Sequence, residues 1–146
     1  MKNTLLVVPI VAGAAGLICI AVQTRPALAR TQSPEELLAQ GRHLVTNVAL
    51  CGDCHSPRLG TGGFDRARWL GGAPIGFNPV VPMPWAPVAP PLAGLPGRSD
   101  AEVVALLTTG ARRDGTAPLP PMPAFHLSEQ EAAAVVAYLR SLGPTP

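Results

Sequence analysis

The sequence predicts an all-α domain of at least three helices joined by long Pro/Gly-rich loops, on three observations. Three segments open with the same signature: Ser33-Pro34-Glu35-Glu36, Ser99-Asp100-Ala101-Glu102 and Ser128-Glu129-Gln130-Glu131. In each, the Ser side chain accepts from an orphan N–H of the first helical turn while the Glu returns to the Ser N–H. Apolar residues behind each signature recur at helical spacing, and no alternating strand pattern of useful length appears. Between the helices the chain is dense in proline, with eight from Pro74 to Pro96 and four more (Pro118, Pro120, Pro121, Pro123) around Met122. Proline neither continues a helix nor donates to a ladder, so these stretches read as backbone wraps without regular structure. Loops this long are uncommon in a compact domain. They make sense if something other than protein fills the middle.

Charge and the N-terminus come next in chain order. The 146 residues carry 11 Lys+Arg against 9 Asp+Glu, but Lys2 and Arg25 lie in the first 29 residues, which hold no acid. Residues 30–146 therefore carry 9 charges of each sign and form a neutral domain large enough for one core. Neutrality excludes the basic surface that a nucleic-acid binder needs to displace counterions. Residues 1–29 read as a signal peptide or N-terminal membrane anchor. Lys2 supplies a positive start, residues 5–22 are 18 positions without charge, and Ala27-Leu28-Ala29 offers small residues to a signal peptidase. Eighteen apolar residues is short for a bilayer span, and Pro9, Gly13 and Gly16 weaken the helix, so cleavage is favoured over retention. Cys19 follows Ile18 rather than the small residue that precedes a lipid acceptor. Either way the domain is expected on the far side of a membrane.

The first helix places Pro34 at its first position and carries Leu37, Leu38, Leu44 and Val45 towards Cys51. The second carries Val103, Leu106 and Leu107 and ends at Gly110. The third carries Ala132, Val135, Val136, Leu139 and Leu142 and is closed by Gly143-Pro144.

Cys51-Gly52-Asp53-Cys54-His55 is a C-x-x-C-H sequence, the attachment signature of haem c. Two thiols three residues apart on one helical turn can each add to a vinyl group of the same porphyrin, and the His after the second Cys then projects under the iron. Export agrees with this chemistry, as does a cysteine inventory of two in the motif and one in the leader, with none left for a disulfide. A thioredoxin-like C-x-x-C wants a βαβ setting that is not visible here. A structural zinc site needs four ligands, and Cys51, Cys54 and one of His43, His55 or His126 make three.

The iron needs a sixth partner, and Met122 is the leading candidate. Pro120-Pro121-Met122-Pro123 stiffens its loop and fixes where the thioether points. A His–Met pair raises the reduction potential and suits electron transfer. A core gap-filling Met would not be expected between prolines in a loop. Met83, in Pro82-Met83-Pro84, is a rival, and His126 and His43 are weaker ones.

With these pieces the chain resembles the class I c-type cytochromes, in particular the single-haem domains of bacterial periplasmic electron-transfer chains and the cytochrome subunits of dehydrogenases. The matching pieces run from about residue 33 to 143: Gly41, Cys51-Gly52-Asp53-Cys54-His55, Ala89-Pro90-Pro91-Leu92-Ala93-Gly94, the helix from Asp100 to Thr109, Pro121-Met122-Pro123 and Ala137-Tyr138-Leu139. The resemblance implies a cytochrome c fold wrapped around one covalent haem c, with Cys51 and Cys54 as anchors and His55 and Met122 on the iron. It also implies that the first and last helices cross at Gly41 and Tyr138, where Gly permits close approach. The stretch from Phe64 to Pro87, with Trp69 and Trp85, is longer than such a domain needs, and is expected to cover a haem edge, to dock a partner or simply to pack. It also hides the carbonyl that would hold the His55 Nδ1–H. Arg58, Arg66, Arg68 and Arg98 are candidates for the haem propionates.

The function expected on this reading is one-electron transfer, without bonds made or broken, between periplasmic or membrane redox partners such as a dehydrogenase or oxidase. The domain would be soluble or anchored to the inner membrane through residues 5–22. The alternative is a haem c protein with an open sixth site doing peroxide or small-ligand chemistry. A colourless zinc or non-haem redox domain is the third reading.

Overall fold

The computed structural model describes residues 32–144, and the leader of residues 1–29 lies outside them. Helix α1 spans Pro34–His43, α2 Cys51–His55, α3 Asp100–Thr109 and α4 Glu129–Ser141, with a two-residue β1 (Ala73–Pro74) and β2 (Val88–Ala89) between α2 and α3. All three capping boxes form. Glu36, Glu102 and Glu131 N–H groups donate to Ser33, Ser99 and Ser128 Oγ at 3.2, 3.3 and 3.3 Å, and each Ser N–H donates back to its Glu carboxylate at 2.9 to 3.0 Å. Gly110 and Gly143 end α3 and α4 in the left-handed region that glycine adopts without a Cβ clash.

The domain is built on the crossing of α1 and α4. A Cβ built on Gly41 would run into the Ala134 carbonyl and lie 2.8 Å from Tyr138 Cβ, so only glycine lets the backbones meet there. Helix α3 packs on α4, and Val103, Leu107, Val135 and Leu139 join Leu44, Val45, Leu70 and Leu95 in one core. Leu38 and Leu142, two members of the expected stripes, stay 38% exposed.

Helix α1 does not run straight into the Cys-His motif. Residues Leu44–Val48 form one π turn, closed by the Ala49 N–H on Leu44 O at 2.8 Å and steadied by the Thr46 hydroxyl on Arg42 O at 2.8 Å. Leu50 then takes φ 50°, and this left-handed residue redirects the chain so that Cys51 starts a new helix.

The proline-rich wrap is more ordered than its composition suggests. Its hub is Leu70, fully buried at φ 56°. The Leu70 N–H donates to the buried Ser56 hydroxyl at 2.9 Å, and Leu70 O accepts from Leu92 N–H at 2.8 Å and Ala93 N–H at 3.1 Å. The Gly72 N–H donates to His55 O at 2.8 Å. Where these ties bring the strands together, Ala73 pairs with Ala89 and Pro74 with Val88 in an antiparallel ladder, which corrects the expectation of no regular structure there. Pro is tolerated because this ladder is only two residues deep and has no second neighbour.

Arg140 secures the other end of the wrap. Its guanidinium donates to Gly94 O (2.6 Å), Leu95 O (3.2 Å), Arg98 O (2.6 Å) and Asp100 Oδ1 (2.8 Å), fastening residues 94–100 to α4.

A candidate cofactor site

Helix α2 is one and a half turns long, so Cys51, Cys54 and His55 lie close together at its wall of a cavity of about 380 Å³. Leu95, Val103, Leu107, Val135 and Leu139 give that cavity an apolar lining, and Met122 reaches it from the Pro120–Pro123 loop. The core of the domain is thus partly a space, as the long loops lead one to expect.

His55 is 7% exposed, and its Nδ1 lies 2.7 Å from Pro90 O. A carbonyl only accepts, so Nδ1 carries the proton and Nε2 keeps its lone pair. Burial lowers the His55 pKa from its ordinary value. The Pro90 bond opposes that shift, and the nearby Arg98 charge adds to it. A buried neutral imidazole with an oriented ring is the form that binds metal. Cys51 and Cys54 are both free thiols. Burial, with a smaller contribution from Cys54, raises the Cys51 pKa to about 11, although a backbone hydrogen bond works the other way.

Four sequence-predicted residues, Cys51, Cys54, His55 and Met122, therefore meet at one cavity, and the rivals do not. Met83 is 44% exposed and absent from the walls. His43 is exposed on α1 with its Nδ1 3.1 Å from Asn47 Nδ2, and His126 also lies off the walls. Three of the four candidate arginines are elsewhere too. Arg58 pairs with Asp53 at 3.6 Å, Arg68 with Asp65 at 2.8 Å, and Arg66 stacks over Trp69 at 5.1 Å. Each has a local anion or ring, which is why none turns inward. Arg98 does line the cavity, joined by Arg112, which sequence reasoning missed.

The 64–87 stretch both packs and lines. Trp69 covers the outer face of α2 so closely that a Cβ on Gly52 would meet its ring, and Phe64 meets Trp69 edge-on at 5.4 Å. Ile75, Ala86 and Pro87 belong to the cavity wall. The Pro90 carbonyl is the other functional group that sequence reasoning missed. It carries no side-chain signal, although it falls in the Ala89–Gly94 segment that the resemblance singles out.

The family model for cytochrome c matches residues 38–143. This chain belongs to the cytochrome c family. It is 32% identical over 108 residues to the fructose dehydrogenase cytochrome subunit of Gluconobacter japonicus, covering 70% of this chain and 21% of that protein. It is also 50% identical over 42 residues to a diheme cytochrome c-type protein of Cereibacter sphaeroides, covering 29% of this chain and 14% of that one. The chain thus spans about a fifth or less of the length of these relatives. The all-α cytochrome c fold and electron transfer by a c-type cytochrome follow from membership, as does covalently bound haem c.

The residues present fit that group. The cavity offers apolar walls for a porphyrin, two free thiols on one turn, a neutral imidazole with an available Nε2, and a thioether. Imidazole with thioether is an axial pair used in electron-transfer haems.

Proposed function

We propose that this cytochrome holds one haem c and passes single electrons between a dehydrogenase and a further redox partner on the periplasmic side of a membrane. Cys51 and Cys54 would anchor the group through thioether bonds, with His55 Nε2 and Met122 Sδ on the iron. Bound there, the haem iron supplies a one-electron ferric/ferrous couple. The protein's share is positional. Pro90 O holds the His55 ring in one tautomer, the prolines around Met122 limit its movement, and the apolar walls keep water from reorganising as charge changes. Arg98 and Arg112 offer positive charge to carboxylates at the cavity. A dehydrogenase partner is supported by the Gluconobacter relative, which is a dehydrogenase cytochrome subunit. The periplasmic side is supported by Lys2, the uncharged residues 5–22 and Ala27-Leu28-Ala29. The single observation that carries the reading is the buried His55, pinned by Pro90 O in a cavity shared with both thiols and Met122.

The test is the visible spectrum of protein produced with its leader and the haem-attachment machinery, oxidised, reduced and denatured. Sharp reduced bands, haem retained on the denatured chain and a weak oxidised Met-to-iron band lost in Met122→Ala are expected. A high-spin spectrum with rapid carbon monoxide binding would instead assign the chain to ligand chemistry at an open iron. Absence of covalent haem would overturn the whole assignment.

A further inference from the structure

Between Arg68 and Arg98 the chain has no ionisable side chain. Part of this stretch is core, but most of residues 77–88 are exposed. Phe77, Val80, Val81, Met83 and Val88 are 54, 100, 59, 44 and 55% exposed. Single exposed apolar residues are ordinary on a protein surface, whereas several together mark an interaction site.

The segment is held in place. The Ile75 N–H donates to Pro87 O at 2.9 Å, closing the loop at its base, and the Trp85 indole N–H donates to Phe77 O at 3.1 Å while the two rings meet edge-on at 5.7 Å. The Ala86 N–H donates to Pro120 O at 2.7 Å, fastening the loop to the segment that carries Met122. Pro79, Pro82, Pro84 and Pro87 restrict what lies between, so little entropy remains to be lost on binding. The loop also borders the cavity. Ile75, Ala86, Pro87 and Val88 are wall residues, and so are the exposed Leu50 and Leu119.

We propose that residues 77–88 are the docking surface through which this cytochrome exchanges electrons, and that its occupant is an uncharged, apolar face of a redox protein. The inference rests on the electron-carrier reading above. Electron exchange falls steeply with distance, so a partner must seat beside the cavity, and this loop places a run of exposed apolar residues at its border, next to Leu50 and Leu119. An ionic partner face would lose its hydration here and find no counter-charge. A lipid surface fits less well than a protein. Among the described residues, no backbone N–H from Gly76 to Trp85 has an intramolecular partner. Hydrocarbon leaves such groups unsatisfied, while a protein face or trapped water can accept from them.

An electrode serves as the partner face. Gold carrying a methyl-terminated monolayer is compared with carboxylate- and ammonium-terminated monolayers of equal thickness, using the haem-loaded protein. The variant is Val80→Asp with Val81→Asp, since neither residue lines the cavity. The control places the same two charges on exposed helical positions, Ala101→Asp with Ala133→Asp. We expect the fastest exchange on methyl, unchanged between low and high salt. The loop variant should lose about tenfold or more of that rate, because two charges must be desolvated. Its spectrum, potential and reduction by a small soluble reductant should match wild type, and the control should exchange normally. Fastest exchange on a charged monolayer, with loss of rate in salt, overturns the proposal, as does a loop variant that exchanges like wild type. Co-sedimentation with phosphatidylcholine vesicles, abolished in the variant, would give the surface to lipid. A dimer at sedimentation equilibrium that the variant dissolves would give it to a second copy. A protein lacking covalent haem or a reversible one-electron wave would overturn the electron-carrier reading itself, a failure separate from loss of docking.

Discussion

Gly41→Ala tests the architecture most directly, because two opposing effects can be sized. In an exposed helix, Ala in place of Gly stabilises by about 1 kcal/mol. At residue 41 the new methyl would meet the Ala134 carbonyl and lie 2.8 Å from Tyr138 Cβ. Overpacking costs about 1–3 kcal/mol where side chains can shift. Here the obstacles are a backbone carbonyl and a Cβ fixed to its own helix, so relief requires α1 and α4 to separate, and the upper end applies. The net expectation is a loss of about 2 kcal/mol. With a guanidinium slope of about 4 kcal/mol/M, the unfolding midpoint should fall by about 0.5 M. The assay is helical ellipticity against guanidinium for the haem-loaded protein, with Gly63→Ala as control because a Cβ there meets nothing within 4 Å. Adding Tyr138→Ala should not rescue Gly41→Ala, since the Ala134 carbonyl remains. A Gly41→Ala protein as stable as wild type, or about 1 kcal/mol more stable as helix propensity alone predicts, would refute the close crossing.

Four further outcomes are expected. Ser56→Ala leaves the buried Leu70 N–H without its acceptor and should cost about 1–3 kcal/mol in the same denaturation assay. Gly52→Ala should destabilise by pushing on the Trp69 ring, and Trp69→Leu, which removes that ring, should cancel most of the added penalty in a double-mutant cycle. Arg140→Lys keeps the charge but cannot reproduce a fork that serves four acceptors, so hydrogen exchange at Leu95 and Arg98 N–H should accelerate. The last concerns acid. Bonds from the Ser99 and Ser128 backbone and side chains hold the Glu102 and Glu131 pKa values below the usual 4.5. Folded values below unfolded ones mean this stability is fully present above about pH 4.5 and is lost as pH falls through the lower folded values. Melting temperature against pH from 6 to 2 should therefore drop less steeply in a Glu102→Gln, Glu131→Gln double variant.

The parts of this molecule that side-chain chemistry specifies are legible in the amino-acid sequence. Ser33, Ser99 and Ser128 mark helix starts because a hydroxyl three residues before a carboxylate has one reciprocal bonding solution. Cys51, Cys54 and His55 announce a shared site by spacing alone. Gly41 and Tyr138 are legible through the resemblance, since a lone glycine in a helix means little without its crossing partner. What stays hidden is carried by backbone groups and by irregular conformations. Leu50, Leu70 and Leu95 all adopt positive φ, where the Cβ of an L-residue crowds the backbone. At Leu70 and Leu95 the buried side chain offsets that strain, and at Leu50 the turn into α2 requires it. Neither reason shows in a local pattern. Arg112 is hidden because its course is set by acceptors with no sequence signature. Its guanidinium donates to Ala117 O at 3.0 Å and Thr116 Oγ1 at 3.4 Å, whereas Arg58, Arg66 and Arg68 are held by an acid or a ring.

The Pro90 carbonyl alters how substitution data on this protein should be interpreted. Every amino acid brings a carbonyl oxygen, so changing residue 90 does not delete the acceptor that orients His55. It changes only how firmly the chain presents it. A scan at this position would report a tolerant surface proline, and a ranking built on such scans would leave it out of the site. The group becomes visible to chemistry on the main chain itself. Replacing the Pro90 carbonyl oxygen by sulfur, a thioamide, weakens that one acceptor and keeps both proline rings. For this molecule, silence in a side-chain scan and absence of a role are different results.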